Sequence, residues 1–312
     1  MFIELSSRQL SQYVDACAVF DALDAAEQRA AKFRGTMFVR TVGARNYLIR
    51  RDTRGQQRSI GPITEENQSA AQKFTAEKAA IEERVKQLRS ELDIHRKLNR
   101  SLRVGRAPSI MVRALQALKD AGVDRHFLVV GTHALFAYEQ RAGVLFPGDA
   151  LATQDVDLLL DTRKRAQFLA QLDKVDMSLV DLLRRADKTF ELKQGDLCTL
   201  VNASGFEIDV IRRMATDKDE HPMRATAHED DIGPVQVATG DKLLGAARYE
   251  QIVVASTGEM ARMHTIAPRD YARVKRELGK RKDRDPLKAR KDLLQADLIE
   301  KLVLEYLPDQ RD

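Results

Sequence analysis

The spacing of apolar residues divides the first third of the chain into two helical segments separated by a β-rich stretch. Residues 5 to 33 carry apolar side chains at helical spacing, which predicts a helix. Between residues 35 and 62, short β-rich runs alternate with glycine turns, which predicts a small antiparallel ribbon. From residue 64 to about 103 the apolar positions again follow helical spacing in a charged background. This segment is predicted to be one long helix or a helical hairpin, coiled-coil-like over part of its length.

After residue 108 the pattern changes to alternating strands and helices. Residues 109 to 121 are predicted to form an amphipathic helix. The later predicted elements are a strand, turn and helix within 127–140, a strand within 152–161, a helix over 162–175, two or three strands within 189–213, a hairpin over 249–267, and helices over 268–307 with a break near 285–286. This alternation indicates an α/β or α+β domain.

Composition narrows the class of protein. The 312 residues include 52 Lys and Arg against 47 Asp and Glu, a formal net charge of +5, and 43% are hydrophobic. That apolar content supports a sizeable core and excludes wholesale disorder. The sequence contains no apolar run of about 18 residues, so no membrane span is predicted, and the N-terminus lacks the pattern of a secretory signal. Cys17 and Cys198 have neither zinc-site spacing nor a disulfide framework, so we expect a cytoplasmic, reducing compartment.

Basic residues are concentrated in two segments. Residues 34–58 contain seven Arg and one acid, and residues 273–291 contain ten basic residues and three acids. Clustered Lys and Arg are typical of a surface that binds a polyanion. A solvated charged face is the alternative interpretation of either segment alone. Aromatic residues make up only 5% of the chain, which argues against single-strand binding that depends mainly on base stacking.

A glycine-threonine turn and three carboxylates form the sharpest chemical pattern. Gly131 and Thr132 follow a strand and open a helix, where backbone amides and a hydroxyl can receive phosphate oxygens. Asp155 and Asp157 are two residues apart on a predicted strand, so both side chains face the same way. Asp209 lies in a later strand, where a charge merely packed against a core would be costly. Three carboxylates that hold two Mg²⁺ ions suit in-line phosphoryl or nucleotidyl displacement. Each piece alone has an ordinary interpretation, a helix cap or a half-exposed strand, but the ordered set favours a site.

This ordered set resembles the nucleotidyltransferase superfamily of DNA polymerase β. The stretches VVGTHALFAYEQRAGVLF and ATQDVDLLLD more narrowly resemble a bacterial nucleotidyltransferase-like family. In that family a ribbon like NYLIRRDTRGQQRSIGP and a tail like PRDYARVKREL and DPLKARKDLLQA recur, so the resemblance covers residues 35 to 300. The chain is more distantly similar to the nucleotidyltransferase toxins of abortive-infection toxin–antitoxin systems.

The resemblance implies a role for each residue of the pattern. Gly131 and Thr132 would hold the triphosphate, and Asp155 and Asp157 would hold the metals. Asp209 would ligate the metal near the nucleophile and help to deprotonate it. Thr at position 132 replaces the commoner Ser or Gly, but neither this change nor the 24-residue gap between Gly131 and Asp155 removes a ligand.

Other residues near this pattern are less decisive. Arg212 is a candidate for contact with the triphosphate or acceptor, and a solvated strand end is the alternative. In the toxin group a Lys and an Asp on C-terminal helices join the site, and Lys275 and Asp292 match them. An exposed lysine and a helix salt-bridge partner are the simpler interpretations. Asp161 is expected to cap a helix, and the insertion at 141–153 is expected to loop out between helix and strand.

Together these features predict an α+β protein with a polymerase β-like nucleotidyltransferase core. The predicted division is an N-terminal helical and β-ribbon region (1–107), the core (108–240), and a C-terminal hairpin and helical extension (241–312). The predicted reaction is Mg²⁺-dependent transfer of a nucleoside monophosphate from an NTP, such as ATP, to an acceptor, with release of pyrophosphate. The two basic segments favour RNA, for example the tRNA acceptor end, over a small molecule; a protein hydroxyl is a further candidate acceptor.

Two other classes of function compete with this prediction. One is a nucleic-acid-binding module whose carboxylate cluster is vestigial, which would bind nucleic acid without Mg²⁺. The other is an Asp-x-Asp glycosyltransferase that uses a nucleotide sugar, which would leave Gly131, Thr132 and Asp209 unexplained. The segment 64–103 is a candidate interface for a homo-oligomer or another partner, and a toxin role would require an antitoxin.

Overall fold

A computed structural model describes residues 2–174, 176–217 and 219–310. The chain divides into two compact units, Ser11–Leu98 and the combination of Met1–Leu10 with Asn99–Asp312. The last residue of the helix predicted over 162–175 lies outside the described residues.

The described residues form thirteen β-strands and ten α-helices. The strands are β1 (Ile3–Glu4), β2 (Thr36–Val42), β3 (Arg45–Arg51), β4 (Gln57–Pro62), β5 (Phe127–Val130), β6 (Val144–Leu145), β7 (Asp155–Leu160), β8 (Glu191–Leu192), β9 (Thr199–Val201), β10 (Glu207–Arg212), β11 (Val235–Gln236), β12 (Arg248–Val254) and β13 (Met260–Ile266). The helices are α1 (Ser7–Lys32), α2 (Glu65–Leu102), α3 (Ser109–Asp120), α4 (Leu135–Ala142), α5 (Gly148–Leu151), α6 (Arg165–Leu172), α7 (Leu179–Arg184), α8 (Gly240–Gly245), α9 (Pro268–Gly279) and α10 (Pro286–Tyr306). None of the helices in the described part of the chain is long and apolar enough to cross a membrane.

The unit Ser11–Leu98 is a pair of helices joined by a three-stranded ribbon. Apolar residues of α1 and α2 pack together into a small buried core: Val19, Leu23, Ile81, Val85 and Leu88. The polar background of both helices leaves this narrow apolar stripe as the face that packs. The prediction of a helix, a ribbon and a second helical segment is confirmed, and the second segment is a single helix rather than a hairpin.

The ribbon has the strand order β2-β3-β4, with both pairs antiparallel. It is joined to α2 by a contact between the rings of Phe33 and Phe74, whose centroids are 5.5 Å apart, and by a hydrogen bond of 2.7 Å from Lys78 Nζ to the Gly35 carbonyl. Gly35 has φ +93°, and a Cβ there would lie 2.3 Å from the Arg51 carbonyl oxygen. Only glycine therefore fits where the chain leaves α1 and enters the ribbon.

The larger unit is built on a six-stranded mixed sheet. The strand order is β5-β7-β10-β9-β8, and β11 pairs with the end of β10 beyond β9. β7 and β10 are parallel, whereas β5 and β9 run antiparallel to their neighbours. The apolar runs of these strands are buried and form the centre of a single hydrophobic core. This mixture of helices and sheet confirms the predicted α+β class.

The C-terminal hairpin shares that core. The hydroxyl of Thr265 in β13 donates a 2.7 Å hydrogen bond to the carbonyl of Val129 in β5. The hydroxyl of Tyr138 in α4 donates a 2.8 Å hydrogen bond to the carbonyl of Ile266. Both donors are buried, and their hydroxyls are satisfied as burial requires. Residues 249–267 thus form the predicted hairpin, packed directly against the strand that leads into the glycine-threonine turn.

The prediction that residues 141–153 loop out is wrong. Within this segment β6 pairs antiparallel with β1, and α5 follows two residues later. Phe146 and Ala150 are buried in the larger unit. Both Arg106 and the backbone amide of Phe146 donate to the carboxylate of Glu139, which holds the segment in place. The pairing partner of β6 lies at the start of the chain, so local sequence carries no sign of this strand.

Candidate active site

The register of two neighbouring strands brings the three predicted carboxylates together. In the parallel pair β7–β10, Asp157 lies directly opposite Asp209, and Asp155 lies opposite Glu207. Side chains alternate along a strand, so these residues project from the same face of the sheet. Carboxylate oxygens of Asp155, Asp157 and Asp209 all lie within 4.8 Å of one another. This spacing suits a shared metal ion.

The cluster is electrostatically unfavourable without a cation. Burial raises the pKa of Asp157 to about 7, and the nearby charges of Asp155 and Asp209 add to this effect. Burial also raises the pKa of Asp209. A divalent cation would relieve the repulsion, because hard cations prefer carboxylate oxygens and favour the charged form of their ligands. The three residues therefore fit a divalent metal.

The glycine-threonine turn touches the cluster directly. β5 ends at Val130, which pairs with Asp157 across the sheet. Gly131 follows with φ +66°, and a Cβ at this position would lie 2.3 Å from Asp157 Oδ2. Glycine is therefore needed because the backbone lies against a carboxylate, in addition to the close approach of phosphate predicted from the sequence.

Thr132 is tied to the C-terminal helix α10. Gln295 Nε2 donates a 3.1 Å hydrogen bond to Thr132 Oγ1 and a 2.7 Å hydrogen bond to the Ala150 carbonyl. The hydroxyl of Tyr271 donates to Gln295 Oε1 at 3.1 Å. Gln295 is fully buried, so this network fixes the turn relative to α9, α10 and the 141–153 segment.

Lys275 and Asp292 form a buried ion pair beside the carboxylates. Lys275 Nζ lies 2.7 Å from Asp292 Oδ1, and Arg284 Nε donates to Asp292 Oδ2 at 2.9 Å. Lys275 and Asp292 are 8% and 2% exposed, so the interpretation of Lys275 as an ordinary exposed lysine is wrong. The interpretation of Asp292 as a salt-bridge partner is confirmed, but the pair is buried and joins two helices. The charge of Lys275 also acts on Asp157 and opposes the rise in its pKa.

A cavity of about 390 Å³ opens next to Asp157. Its lining combines apolar side chains with cations and includes Val130, Gly131, Ile211, Tyr271, Lys275 and Arg284. A concave site with apolar walls and a few convergent charged groups is typical of small-molecule binding. Asp157, Gly131 and Lys275, three of the residues predicted from the sequence, therefore line one cavity.

Arg212 is the one predicted site residue that the structure places elsewhere. It pairs with Leu160 in register and follows the buried side chains of Ile208 and Val210, so it faces away from Asp209. Its guanidinium is buried, donates to the Pro234 carbonyl at 3.3 Å and lies 2.9 Å from the His221 ring. Strand alternation thus corrects the prediction that Arg212 contacts the nucleotide.

Asp161 caps the helical turn after β7, as predicted. Its carboxylate accepts a hydrogen bond from the backbone amide of Arg163 and is only 1% exposed. The side chains of Arg163 and Arg248 also bind it, at 2.7 and 2.9 Å. All its oxygens are engaged away from the cavity, so it takes no part in the metal cluster.

Thr199 is a site residue that sequence reasoning missed. It lies opposite Asp209 in the antiparallel pair β9–β10, and its hydroxyl donates a 2.6 Å hydrogen bond to Asp209 Oδ1. The residue is 3% exposed, and this hydrogen bond opposes the rise in the pKa of Asp209. Thr199 therefore fixes the orientation of the third carboxylate and leaves its Oδ2 for other partners. A threonine in a short strand carries no sequence signal of this role before the strand pairing is known.

Two further lysines of α10, Lys288 and Lys291, were also missed. The charge of Lys288 acts on Asp157, and that of Asp155 acts on Lys291. Burial and the neighbouring charge of Lys275 lower the pKa of Lys291, whose Nζ donates to the Ala152 carbonyl at 2.7 Å. The sequence signal for these two lysines was their spacing of three residues on one predicted helix, because that spacing places both side chains on the same side of the helix.

Comparison with known proteins agrees with this geometry. Residues 109–312 match the family model described as Nucleotidyltransferase, which covers more than half of the chain. The chain therefore belongs to this nucleotidyltransferase family, and it is a transferase that uses an NTP. Searches among curated proteins and among solved structures found no match. The matched span begins at α3 and contains the three carboxylates, the turn and the lysines around the cavity.

Proposed function

We propose that this protein transfers a nucleoside monophosphate from an NTP to an RNA hydroxyl and releases pyrophosphate. The observation that carries the proposal is the convergence of Asp155, Asp157 and Asp209 within 4.8 Å, in a chain of the nucleotidyltransferase family. The resemblance of the ordered motifs to the DNA polymerase β superfamily supports the same reaction.

The three carboxylates would hold two Mg²⁺ ions. Their like charges, partial burial and oxygen-only ligands fit such ions better than they fit a structural role. When bound, the ions would stabilise the charge that develops on the transferred phosphoryl group and on the leaving pyrophosphate.

The remaining residues would bind and orient the substrates. The amide of Gly131 and the hydroxyl of Thr132 lie where a phosphate can approach the turn. Lys275, Lys288 and Lys291 would offset the negative charge of the triphosphate. Asp209 Oδ2 would accept the proton of the acceptor hydroxyl. The hydroxyl oxygen would then form a bond to the α-phosphorus, while the bond between the α-phosphorus and the oxygen that bridges to the β-phosphate breaks and pyrophosphate leaves.

RNA is the acceptor that the charge distribution favours. The strongly basic segment 34–58 suits a polyphosphate backbone, whereas the basic segment 273–291 carries Lys275 and lies on and between α9 and α10. The basic charge makes the tRNA acceptor end a specific candidate, and the distant resemblance to abortive-infection toxins makes an antitoxin a candidate partner. Self-association through α2 stays a separate prediction.

The test is incubation with each α-³²P-labelled NTP, Mg²⁺ and total RNA, beside the Asp155→Asn/Asp157→Asn variant and an EDTA control. We expect label in a discrete RNA band with the wild type and Mg²⁺ only. Label in protein would retain the chemistry and reject RNA as acceptor. Absence of transfer from every NTP, with Mg²⁺-independent RNA binding in both proteins, would favour the binding module, and hydrolysis of a nucleotide sugar would favour the glycosyltransferase.

A further inference from the structure

The two basic segments differ in how their charge is balanced. In 273–291, five of the ten basic residues form ion pairs: Arg273, Lys275, Arg276, Arg281 and Arg284. Four of them pair with acids outside the segment, namely Asp270, Asp292, Asp297 and Glu300. Much of the positive charge of these helices is therefore already compensated inside the fold.

The segment 34–58 is not compensated in this way. Within the described residues, none of its seven arginines forms an ion pair, and all seven are exposed: Arg34, Arg40, Arg45, Arg50, Arg51, Arg54 and Arg58. The single acid, Asp52, accepts hydrogen bonds from the backbone amides of Arg54 and Gln56 and shapes the turn between β3 and β4. Exposed like charges held this close together repel one another, and a bound polyanion would offset that repulsion.

The register of the ribbon presents three arginines on one face. Arg45 and Arg51 lie at alternate positions of β3, and Arg40 of β2 lies opposite Tyr47 on the same face. The guanidinium groups of Arg51 and Arg40 lie over the ring of Phe38, at 5.4 and 5.9 Å from its centroid. Phe38 thus restrains two of the three cations before any ligand binds.

The other face of the ribbon carries a second sign of an anionic ligand. Arg50 of β3 lies directly opposite Arg58 of β4. Like charges at facing positions of an antiparallel pair are destabilising. The guanidinium of Arg50 lies over the ring of Phe74, 5.6 Å from its centroid, but neither arginine forms an ion pair within the described residues.

The choice of residue identifies the class of anion. Every basic residue from 34 to 58 is arginine and none is lysine. The planar guanidinium binds phosphate with two parallel hydrogen bonds and stacks on flat rings, whereas a merely solvated surface is served equally by lysine. Unpaired RNA bases offer both a phosphate backbone and flat rings to arginine planes.

We propose that the β2-β3-β4 ribbon is the RNA-binding surface of this protein and that Arg40, Arg45 and Arg51 contact the RNA. The choice of RNA as partner rests on the proposed function, whereas the location of the surface rests on the ribbon alone. Binding by the ribbon requires neither NTP nor a divalent metal.

The test is fluorescence anisotropy of the full chain with a fluorescein-labelled, mixed-sequence RNA oligonucleotide, in EDTA, over a series of KCl concentrations. The ribbon variant is Arg40→Gln/Arg45→Gln/Arg51→Gln. The helix variant, Arg273→Gln/Arg281→Gln/Arg290→Gln, is the control because it removes the same charge from exposed positions of the other segment. We expect about tenfold or greater loss of affinity for the ribbon variant and a salt slope smaller by about 2.1, the value for three lost phosphate contacts on a single strand.

Four results would overturn the proposal. The ribbon variant could bind RNA with the affinity of the wild type, or the helix variant could lose as much RNA affinity as the ribbon variant. The wild type could also bind duplex DNA of the same sequence, or polyglutamate, with the affinity that it shows for the RNA. If circular dichroism shows that the triple variant is misfolded, Arg45→Gln replaces it, since the Arg45 side chain forms no hydrogen bond within the described residues. That variant is expected to reduce the salt slope by about 0.7, and an unchanged slope would contradict the proposal.

The binding assay separates this proposal from the proposed reaction. RNA binding by the ribbon with no nucleotidyl transfer would support the surface and reject the reaction. Nucleotidyl transfer to RNA with no effect of the ribbon variant on RNA affinity would support the reaction and reject the surface.

Discussion

The ribbon and the helices α9 and α10 carry similar charge in very different surroundings. Residues 34–58 have a net charge of 7 − 1 = +6, and residues 273–291 have 10 − 3 = +7. In the second segment, acids from elsewhere in the same unit pair with four of the ten cations, and the charge of Lys275 acts on Asp157 of the carboxylate cluster. In the ribbon no arginine guanidinium forms an ion pair with a carboxylate of the described residues.

This contrast shows that the same local charge can serve two different purposes. Lys275, which is paired and buried beside Asp157, would offset the charge of a small anionic substrate. Cations that are exposed and unpaired suit a long anion that brings its own charge. Substitutions at the carboxylate cluster should therefore leave RNA binding by the ribbon intact, and substitutions in the ribbon should leave the chemistry of nucleotidyl transfer intact. The following predictions test that separation.

The largest effect is expected from Asp155→Asn/Asp157→Asn. Loss of the metal ligands should reduce nucleotidyl transfer by at least about a thousandfold, because metal stabilisation of the transition state contributes several kcal/mol. RNA affinity in EDTA should stay at the wild-type value. Measurement of label transfer and anisotropy on the same preparation checks both expectations. A loss of RNA affinity in this variant would contradict the claim that the ribbon binds RNA independently of the carboxylate cluster.

Lys275→Met is expected to cost about 3 kcal/mol of unfolding free energy, because it leaves the buried Asp292 without one of its two cations. Denaturant unfolding measures this loss. Arg281→Met, which breaks an exposed ion pair with Asp283, is the matched control and should change stability very little. The double variant Lys275→Met/Asp292→Leu should regain stability without regaining transfer activity. Recovery of both stability and transfer activity in the double variant would show that the Lys275–Asp292 pair has only a structural role.

Asp157→Asn should stabilise the metal-free protein at high pH. The pKa of Asp157 is about 7 in the folded state and near 3.8 ordinarily, so the folded state binds this proton more tightly than the unfolded chain. The resulting stability is fully present below the unfolded pKa and is lost as the pH rises through 7. In EDTA at about pH 8 the variant should therefore be more stable by roughly 2 kcal/mol, and at about pH 4 the two proteins should be equal. A constant difference across this range would contradict the role of charge repulsion.

Thr199→Val is expected to lower kcat by about tenfold with little change in RNA affinity, since one hydrogen bond to a charged group is lost. Thr199→Ser keeps the hydroxyl and should restore most of the rate. The acidic limb of the pH–rate profile should also shift to higher pH in the valine variant, because Asp209 would act as the base and the lost hydrogen bond opposes the rise in its pKa. Equal rates for the valine and serine variants would reduce Thr199 to a packing role.

Sequence reasoning predicted the elements whose signals are local. The apolar runs of β5, β7 and β10 and the alternation of Asp155 and Asp157 are visible within a few residues, so the cluster was predicted with its ligands. The long helices were equally clear from their periodicity. These signals depend on strand and helix periods and not on distant partners.

The features that sequence reasoning missed depend on contacts between distant residues. β6 pairs with β1, more than 130 residues away, so the 141–153 segment was mistaken for a loop. Thr199 acquires its role only through the register of β9 with β10. Charge counting likewise cannot tell a paired cation from an unpaired one, because the acids that pair with α9 lie partly on α10.

The most direct test is a series of RNA concentrations in the labelled-NTP assay, with the wild type, Asp155→Asn/Asp157→Asn and the ribbon variant side by side. We predict no transfer by the carboxylate variant at any RNA concentration. The ribbon variant should keep the wild-type kcat and show a raised KM for RNA. Transfer by the carboxylate variant at the wild-type rate would contradict the assignment of the catalytic site to the three aspartates.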